Sequence, residues 1–259
     1  MSAHPNKLLA ADEPAPVSVH NVNGPSPFLL VADHAGNLIP RALGRLGLVE
    51  AELQRHIAWD IGIAGLGRQL ADALDATLIQ QNYSRLVIDC NRPLDAASAI
   101  PDISENTAIP GNAGLSETDR TARAVEIFWP YHNRIEAELD RRRRAGDAVA
   151  LIALHSFTPV FKGAQRPWHA GVLYNRDARL ARRLLAMLNE EDGLFVGENT
   201  PYLVSDDSDY TVPVHAERRG LHHVLIEIRQ DLIADENGQR AWSLRLGRLL
   251  PLAYEGLGL

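Results

Sequence analysis

Two histidines follow apolar runs and are the side chains in this sequence best suited to bind a metal ion. His34 comes after the run Phe28 to Ala32, and His155 comes after the run Val149 to Leu154. Parallel strands bring such polar residues together beyond their carboxyl ends, where ligands bind in open α/β sheets. A catalytic zinc ion takes three nitrogen or oxygen ligands from the protein and leaves one position open to water. The two histidines therefore predict a metal site that needs one more ligand.

The third ligand is not given by a spacing motif, because the sequence contains no HExxH segment in which one helix supplies two histidines. We assign it to Asp60, which lies just ahead of a predicted helix that begins at Ile61. An aspartate at that position is equally suited to cap the helix N-terminus, and both interpretations stay open. Zinc is the expected ion, and manganese, iron or cobalt accept the same ligands.

Glu227 lies inside the apolar run Val224 to Ile228. An ionised carboxylate is costly in such a setting unless a metal, an arginine or several donors meet it. One interpretation is an ion pair with Arg229, two residues along the same face of the strand. We favour a catalytic general base, because that role needs a half-buried carboxylate beside the histidine strands.

A third polar cluster, Asn91 and Arg92, follows the run Leu86 to Ile88, which we predict to be a strand. Arginine forms forked hydrogen bonds with carboxylates, so this cluster is a candidate for binding an acidic substrate. His215 is a further candidate that would reach the substrate from a loop. We infer a contact between His215 and the substrate only from its expected position in a loop.

The remaining pattern is one of strands that alternate with helices, which predicts a mostly parallel sheet covered by helices on both faces. Shorter strand candidates are Thr77 to Gln80, Gly171 to Tyr174 and Leu194 to Gly197. Helical periodicity runs through Ile61 to Leu74, Ser116 to Arg144, Asp177 to Asn189 and Gly238 to Tyr254. Two long segments, Arg92 to Leu115 and Phe157 to Ala170, read as loops that close over one pocket.

Composition limits the class of protein. The 259 residues carry a formal net charge of -7, so the chain offers no basic field to attract nucleic acid or an anionic membrane. A single cysteine excludes an internal disulfide, and the start lacks the pattern of a secretory signal; we expect a cytoplasmic protein. We predict a flexible tail over residues 1–20 and one α/β domain over residues 21–259. Composition does not decide between a monomer and a homo-oligomer.

At these same residues the sequence resembles the N-formylglutamate amidohydrolases and, more distantly, the zinc carboxypeptidases. Ala32-Asp-His-Ala-Gly-Asn-Leu-Ile-Pro40 resembles the first metal-binding turn of that family. Tyr83-Ser-Arg-Leu-Val-Ile-Asp-Cys-Asn-Arg-Pro93 is similar to its segment for the substrate carboxylate. His155-Ser-Phe-Thr-Pro159 resembles the later metal histidine, and Ile226-Glu-Ile-Arg-Gln-Asp231 resembles the strand of the general base.

The resemblance implies a three-layer αβα sandwich of the phosphorylase and hydrolase kind, related to the zinc carboxypeptidases and holding one zinc ion. It implies that His34 and His155 bind the metal, that Glu227 activates water and that Arg92 holds a substrate carboxylate. Carboxypeptidases carry a glutamate ligand three residues after the first histidine, and here that position is Asn37. Asparagine is a weak zinc ligand, which is the reason for assigning Asp60.

The activity that the resemblance implies is hydrolysis of N-formyl-L-glutamate, or a similar N-acyl amino acid, to formate and L-glutamate. Arg92, helped by Arg85 or Arg229, would clamp the carboxylates of this small-molecule substrate. Two alternatives stay open at this point. One is a carboxypeptidase or deacylase for another small amide on the same frame, and the other is a carboxylate-binding protein without catalysis.

Overall fold

A mixed sheet of seven strands runs through the centre of the protein. The structure is a computed structural model and describes residues 7–258. In chain order the strands, including those of two short hairpins, are β1 (Val17–His20), β2 (Phe28–Ala32), β3 (Thr77–Gln81), β4 (Ile103–Ser104), β5 (Thr107–Ala108), β6 (Ala150–Phe157), β7 (Val160–Phe161), β8 (Ala164–Gln165), β9 (Ala170–Leu173), β10 (Val196–Glu198) and β11 (His222–Arg229).

The strand order across the sheet is β1-β3-β2-β6-β11-β9-β10. The four central strands, β3, β2, β6 and β11, are parallel to one another. The antiparallel pairs are β1 with β3 and β9 with β11. Because the central strands are parallel, the residues that follow β2 and those at the ends of β6 and β11 meet at one edge of the sheet.

Within residues 7–258 the sheet is accompanied by six α-helices: α1 (Glu50–Leu53), α2 (Ile63–Leu74), α3 (Glu117–Arg123), α4 (Trp129–Ala145), α5 (Arg179–Asn189) and α6 (Glu236–Glu255). A π-helical turn, Ala124–Phe128, joins α3 to α4. The helix predicted from Ser116 begins with a capping box, in which the side chains of Ser116 and Asp119 each bond the backbone N–H of the other residue.

Helices cover both faces of the sheet, because successive residues of each strand point to opposite sides. In β2, Leu30 packs in the cluster that contains apolar residues of α2, α5 and α6. Its neighbours Leu29 and Val31 pack in a second cluster, which contains residues of α4. The predicted three-layer αβα fold is therefore confirmed.

Two expectations about local structure are wrong. Leu86 to Ile88 is buried but lies in a turn and the segment that follows it, not in a strand. The expected tail also contains structure: residues 1–6 lie outside the described part, but Leu8 and Leu9 are buried and Val17–His20 is the edge strand β1. A third difference is smaller, since β6 continues through His155 to Phe157.

The two long segments are loops with short hairpins in them, β4–β5 in the first and β7–β8 in the second. The backbone N–H of Lys162 in the second donates to Glu105 Oε1 in the first at 3.2 Å, so the loops touch each other. Within residues 7–258 no helix is both long and apolar enough to span a membrane.

Candidate metal centre and substrate cavity

His155 and Glu227 are neighbours because β6 and β11 pair in parallel with these two residues opposite each other. Directly paired residues of adjacent strands project from the same face of a sheet. Both side chains therefore lie on the face that carries α4, beyond the apolar residues Ala153 and Leu225. The strands that form the core also hold the imidazole beside the carboxylate.

His34 and Asp60 join His155 through a backbone contact, in which the N–H of Asp60 donates to the carbonyl of His34 at 2.9 Å. Asp60 Oδ2 lies 2.9 Å from His155 Nδ1 and 3.5 Å from His34 Nδ1. One donor atom from each of the three residues lies within 4.8 Å of the others, and all three residues are buried. The residue preceding α2 is Gly62 and no side chain caps that helix, so Asp60 does not serve as its cap.

The far nitrogen of each histidine is held by a carboxylate. His34 Nε2 donates to Asp89 Oδ1 at 2.7 Å, and His155 Nε2 lies 3.1 Å from Asp33 Oδ2. The second oxygen of Asp33 accepts a 2.7 Å hydrogen bond from Thr211 Oγ1. Histidines that bind metals are oriented in this way by carboxylates on their other nitrogen.

The three donors fit a metal ion. His34 Nδ1 is buried and has no hydrogen-bond partner among the described residues, which is costly for a polar atom unless a cation meets it. Asn37, the alternative ligand, lies outside the cluster of three, and its side-chain Nδ2 donates to the carbonyl of Leu53 at 3.5 Å. The donor set of two imidazoles and one carboxylate suits zinc.

Burial and charge act differently on the acidic groups of the site. Burial tends to raise the pKa of Asp33, but the hydrogen bond from His155, the charges of His155 and His34 and the hydrogen bond from Thr211 together outweigh it, and the pKa falls to about 2. Burial also opposes ionisation of Asp60, but the charges of His34 and His155 and the hydrogen bond from His155 keep its pKa below the ordinary value. For Glu227 burial dominates and raises the pKa to about 7.

Glu227 carries no ion pair with Arg229. Its Oε2 has no hydrogen-bond partner within the described chain, and the guanidinium of Arg229 forms its ion pair with Asp231 at 2.8 Å. The interpretation that Glu227 is buried because it forms an ion pair with Arg229 is therefore not supported. A buried carboxylate with a pKa near neutrality and one free oxygen is suited to accept and return a proton.

A cavity of about 400 Å³ opens onto these residues. Its wall includes His34, Asp60, His155 and Glu227, and both long loops contribute, the first through Glu105 and the second through Phe161. Further lining residues come from a third segment, Tyr202 to Asp209. The expectation that the two loops close over one pocket is confirmed.

Arg92 and Arg85 both line the cavity but differ in how they are paired. Arg85 donates to Asp89 Oδ2 through Nε at 3.1 Å and Nη2 at 2.7 Å, and its Nη1 lies 3.4 Å from Asp60. Arg92 Nη1 donates to the carbonyls of Asn91 and Ser208. Its other donors stay available for a carboxylate, whereas Arg85 mainly neutralises the aspartates of the metal site.

Asn91 also lines the cavity, but its side chain is engaged internally. Its Oδ1 accepts 3.1 Å bonds from the backbone N–H groups of Tyr210 and Thr211, and its Nδ2 donates to Asp209 Oδ1 at 2.9 Å. Asn91 therefore fixes the segment that carries Ser208, the partner of Arg92, and its expected direct contact with substrate is not supported.

Two residues that we predicted to bind the substrate lie outside the cavity wall. His215 is buried in a π-helical turn, where its Nε2 lies 2.9 Å from Nδ1 of His132. Arg229 turns away to Asp231 and to the carbonyls of Pro167 and Trp168. Each has partners that the periodicity of the sequence does not reveal, and the structure does not bring either side chain into the cavity wall.

Sequence reasoning missed the roles of Asp33 and Asp89. Both stand at the ends of apolar runs next to residues that were chosen, and both are buried. The signal was present in the type of residue, because a buried aspartate beside a candidate metal histidine is a frequent orienting partner.

The fold and the site together describe an α/β protein with a candidate mononuclear metal centre at the edge of a mixed sheet. The family model described as N-formylglutamate amidohydrolase matches residues 26–234. The chain therefore belongs to the N-formylglutamate amidohydrolase family.

One curated relative agrees with that assignment, and two solved structures share the fold. The N-formylglutamate deformylase of Pseudomonas putida is 32% identical over 190 residues, which are 66% of this chain and 68% of the relative. The crystal structure of gene product Atu2144 from Agrobacterium tumefaciens has a TM-score of 0.94 at 39% identity, covering 97% of this chain and 100% of that one. The N-formylglutamate amidohydrolase of Ralstonia eutropha JMP134 shares the fold, with a TM-score of 0.66 at 20% identity and coverage of 93% and 99%.

Proposed function

We propose that the protein is a metal-dependent amidohydrolase that cleaves N-formyl-L-glutamate, or a similar N-acyl amino acid, to formate and the free amino acid. The observation that carries the proposal is the convergence of His34, Asp60 and His155 beside the unpartnered carboxylate of Glu227. Membership in the family and the names of its relatives support the reaction.

The proposed metal ligands are His34 Nδ1, His155 and Asp60. A bound zinc ion supplies a Lewis acid that polarises the formyl carbonyl and lowers the pKa of water. Asp89 and Asp33 hold the imidazole rings in place by bonding their far nitrogens. Because these aspartates are buried and ionised, they also compensate the charge of a cation at the centre.

Glu227 is the proposed general base and acid. Its free oxygen takes a proton from the attacking water and later gives it to the amine that leaves. The pKa of about 7, raised by burial, places this group where both transfers are feasible near neutral pH. A carboxylate with the low pKa of Asp33 would be too weak a base to take the proton from water.

Arg92 is the proposed anchor for the substrate carboxylate. The bonds from its Nη1 to two backbone carbonyls fix the guanidinium and leave Nε and Nη2 to form a forked pair. Placing the amide next to Glu227 turns the attack of water into a step within one complex, which lowers its barrier.

The test is to remove the metal with a chelator, restore zinc and follow formate release from N-formyl-L-glutamate. We expect activity that disappears on removal and returns on restoration. Release of a C-terminal residue from a peptide in place of formate would favour a carboxypeptidase. Binding of the amino acid by the zinc-loaded protein without any turnover would favour a carboxylate-binding protein.

The ligand set has its own test in Asp60→Asn. Loss of the negative donor should lower zinc affinity about 10- to 100-fold, with a matching rise in the zinc needed for half-maximal activity. Asn37→Ala serves as the control, because Asn37 lies outside the cluster of three. If Asn37→Ala loses zinc and Asp60→Asn keeps it, the assignment of the third ligand is wrong.

A further inference from the structure

Arg166 is not itself part of the cavity wall, but it stacks against two of the aromatic rings that line the cavity. Its guanidinium carbon is 4.5 Å from the ring centroid of Phe161 and 4.8 Å from that of Tyr202. Both rings belong to the cavity wall. Arg166 Nη1 also donates to the hydroxyl of Tyr202 at 2.9 Å. The guanidinium is therefore fixed next to the space that the substrate would occupy.

The charge of Arg166 is not neutralised by a neighbouring acid. Over residues 7–258 its side chain forms no ion pair, whereas Arg85 is paired with Asp89 and Asp60. Tyr202 is its one side-chain hydrogen-bond partner in that part of the chain, so Nε and Nη2 remain available. In a chain with a net charge of -7, an unpaired guanidinium beside an active-site cavity calls for an anionic partner.

The backbone around Arg166 is held firmly, so the position is not that of a loose surface side chain. Its own N–H donates to the carbonyl of Pro159 at 2.8 Å, which closes the β7–β8 hairpin. The carbonyls of the next two residues, Pro167 and Trp168, accept from Arg229. Stacking on flat rings restricts the guanidinium further and reduces the entropy lost when it binds a ligand.

Tyr202 connects this position to the reacting end of the cavity. Burial raises the pKa of Tyr202, the charge of Glu227 raises it further, and the charge of Arg166 lowers it. Tyr202 therefore lies close enough to sense the charges of both Glu227 and Arg166. Tyr202, which accepts the hydrogen bond of Arg166, and the proposed general base Glu227 line the same cavity.

We propose that Arg166 binds the second carboxylate of a dicarboxylic N-acyl amino acid and so determines the specificity of the enzyme for an acidic side chain. The inference rests on the proposed function. Arg92 takes the first carboxylate, and Arg85 is occupied by the aspartates of the metal site, so a dicarboxylate needs another free cation. Arg166 supplies it from the opposite loop.

The experiment compares N-formyl-L-glutamate with N-formyl-L-glutamine, which has nearly the same shape but no charge on its side chain. Arg166→Gln should lower kcat/KM for the glutamate substrate about 10- to 100-fold, mainly through KM, because a charge-assisted hydrogen bond is lost. It should leave kcat/KM for the glutamine substrate within about twofold of wild type. Arg166→Lys, which keeps the charge, should recover part of the loss.

Arg245→Gln is the matched control. Arg245 also stacks on an aromatic ring, that of Trp242, with its guanidinium carbon 4.8 Å from the centroid, but Trp242 belongs to α6 and does not line the cavity. Equal loss on both substrates in Arg166→Gln, or an unchanged preference for the glutamate substrate, would overturn the role of Arg166 and leave the proposed function standing.

Binding of the product separates the two proposals when turnover is absent. Isothermal titration of L-glutamate and L-glutamine into the zinc-loaded wild type and Arg166→Gln reports recognition without hydrolysis. A wild type that hydrolyses neither substrate but binds glutamate, with that binding lost in Arg166→Gln, supports the inference and contradicts the proposed function. Equal glutamate binding by both proteins contradicts the inference.

Discussion

Glu227 and Asp33 show how two buried carboxylates in one site acquire opposite properties. Asp33 accepts a hydrogen bond from Thr211 and lies next to His155, and these contacts keep its pKa at about 2. Glu227 has one oxygen without a partner among residues 7–258, so burial raises its pKa to about 7. The difference comes from local donors, since both groups are buried.

The substitution Glu227→Gln tests the role of this group as the proton carrier. It preserves size and polarity but removes the proton acceptor, so kcat should fall about 10²- to 10⁴-fold. Zinc content and KM should stay near wild type, because the side chain is not among the three donors. We would measure kcat, KM and bound zinc together. A variant with near-normal kcat would exclude Glu227 as the base.

At the scale of elements, the site depends on a close approach between two loop segments. The turn after β2 contacts the segment after β3, with the N–H of Leu38 donating to the carbonyl of Asn82 at 3.2 Å. Gly36 makes this approach possible, because a Cβ there would lie 2.0 Å from the Asn82 carbonyl oxygen. His34, two residues earlier, is positioned by this turn.

The substitution Gly36→Ala should therefore displace the turn that carries His34. We expect weaker zinc binding and a decrease in the free energy of unfolding of about 1–3 kcal/mol, the range of overpacking in a tight site. Bound zinc and chemical denaturation would be measured side by side. Gly247→Ala is the control, since the nearest atom to its added Cβ is 3.3 Å away in the side chain of Ala73. Equal behaviour of the two variants would contradict the argument.

Strands and helices with a clear hydrophobic pattern could be predicted from the sequence. Segments whose structure depends on tertiary contacts could not. The central strands were found because they are continuous apolar runs, and the four long helices because their apolar residues repeat at three to four residues. Leu86 to Ile88 was misread as a strand because burial under loops gives the same apolar run as burial in a sheet. The edge strand β1 was missed because its short sequence, half exposed, lies in a segment rich in proline.

The residues of the site also fall into those that the sequence predicts and those whose roles depend on tertiary contacts. His34, His155 and Glu227 stand at or within apolar runs, so the sequence indicated their place on the sheet. The roles of Asp33 and Asp89 depend on which nitrogen of each histidine faces them, a property of the tertiary structure. The surroundings of His215 could not be predicted, because its partner, His132, is 83 residues away on α4.

For the molecule as a whole, the buried pair His132 and His215 determines part of the response to acid. Burial lowers the pKa of His132 to about 4, and burial together with the charge of His132 lowers the pKa of His215 to about 3. The unfolded chain has histidines with a pKa near 6.5 and takes up these protons first. The stability that the neutral pair contributes is therefore complete above pH 6.5 and is lost as the pH falls towards 4.

We expect the free energy of unfolding of the zinc-loaded protein to fall by about 1.4 kcal/mol per pH unit for each of these histidines below pH 6. Denaturant titrations at pH 7, 6 and 5 would measure the slope. The variant His132→Gln lacks one of the two groups, so its slope should be smaller by about one proton. The same slope in both proteins would show that the pair does not control acid sensitivity.

Asp33 connects the proposed metal site with the proposed binding site for the substrate. One of its oxygens faces His155, and the other accepts from Thr211, whose segment also carries the carbonyl that holds Arg92. In the proposed enzyme the ion and the amino acid would share a supporting carboxylate, so we expect their binding equilibria to be linked. Since such coupling is reciprocal, an amino acid bound at Arg92 should change the affinity for the ion by the same factor as a bound ion changes the affinity for the amino acid.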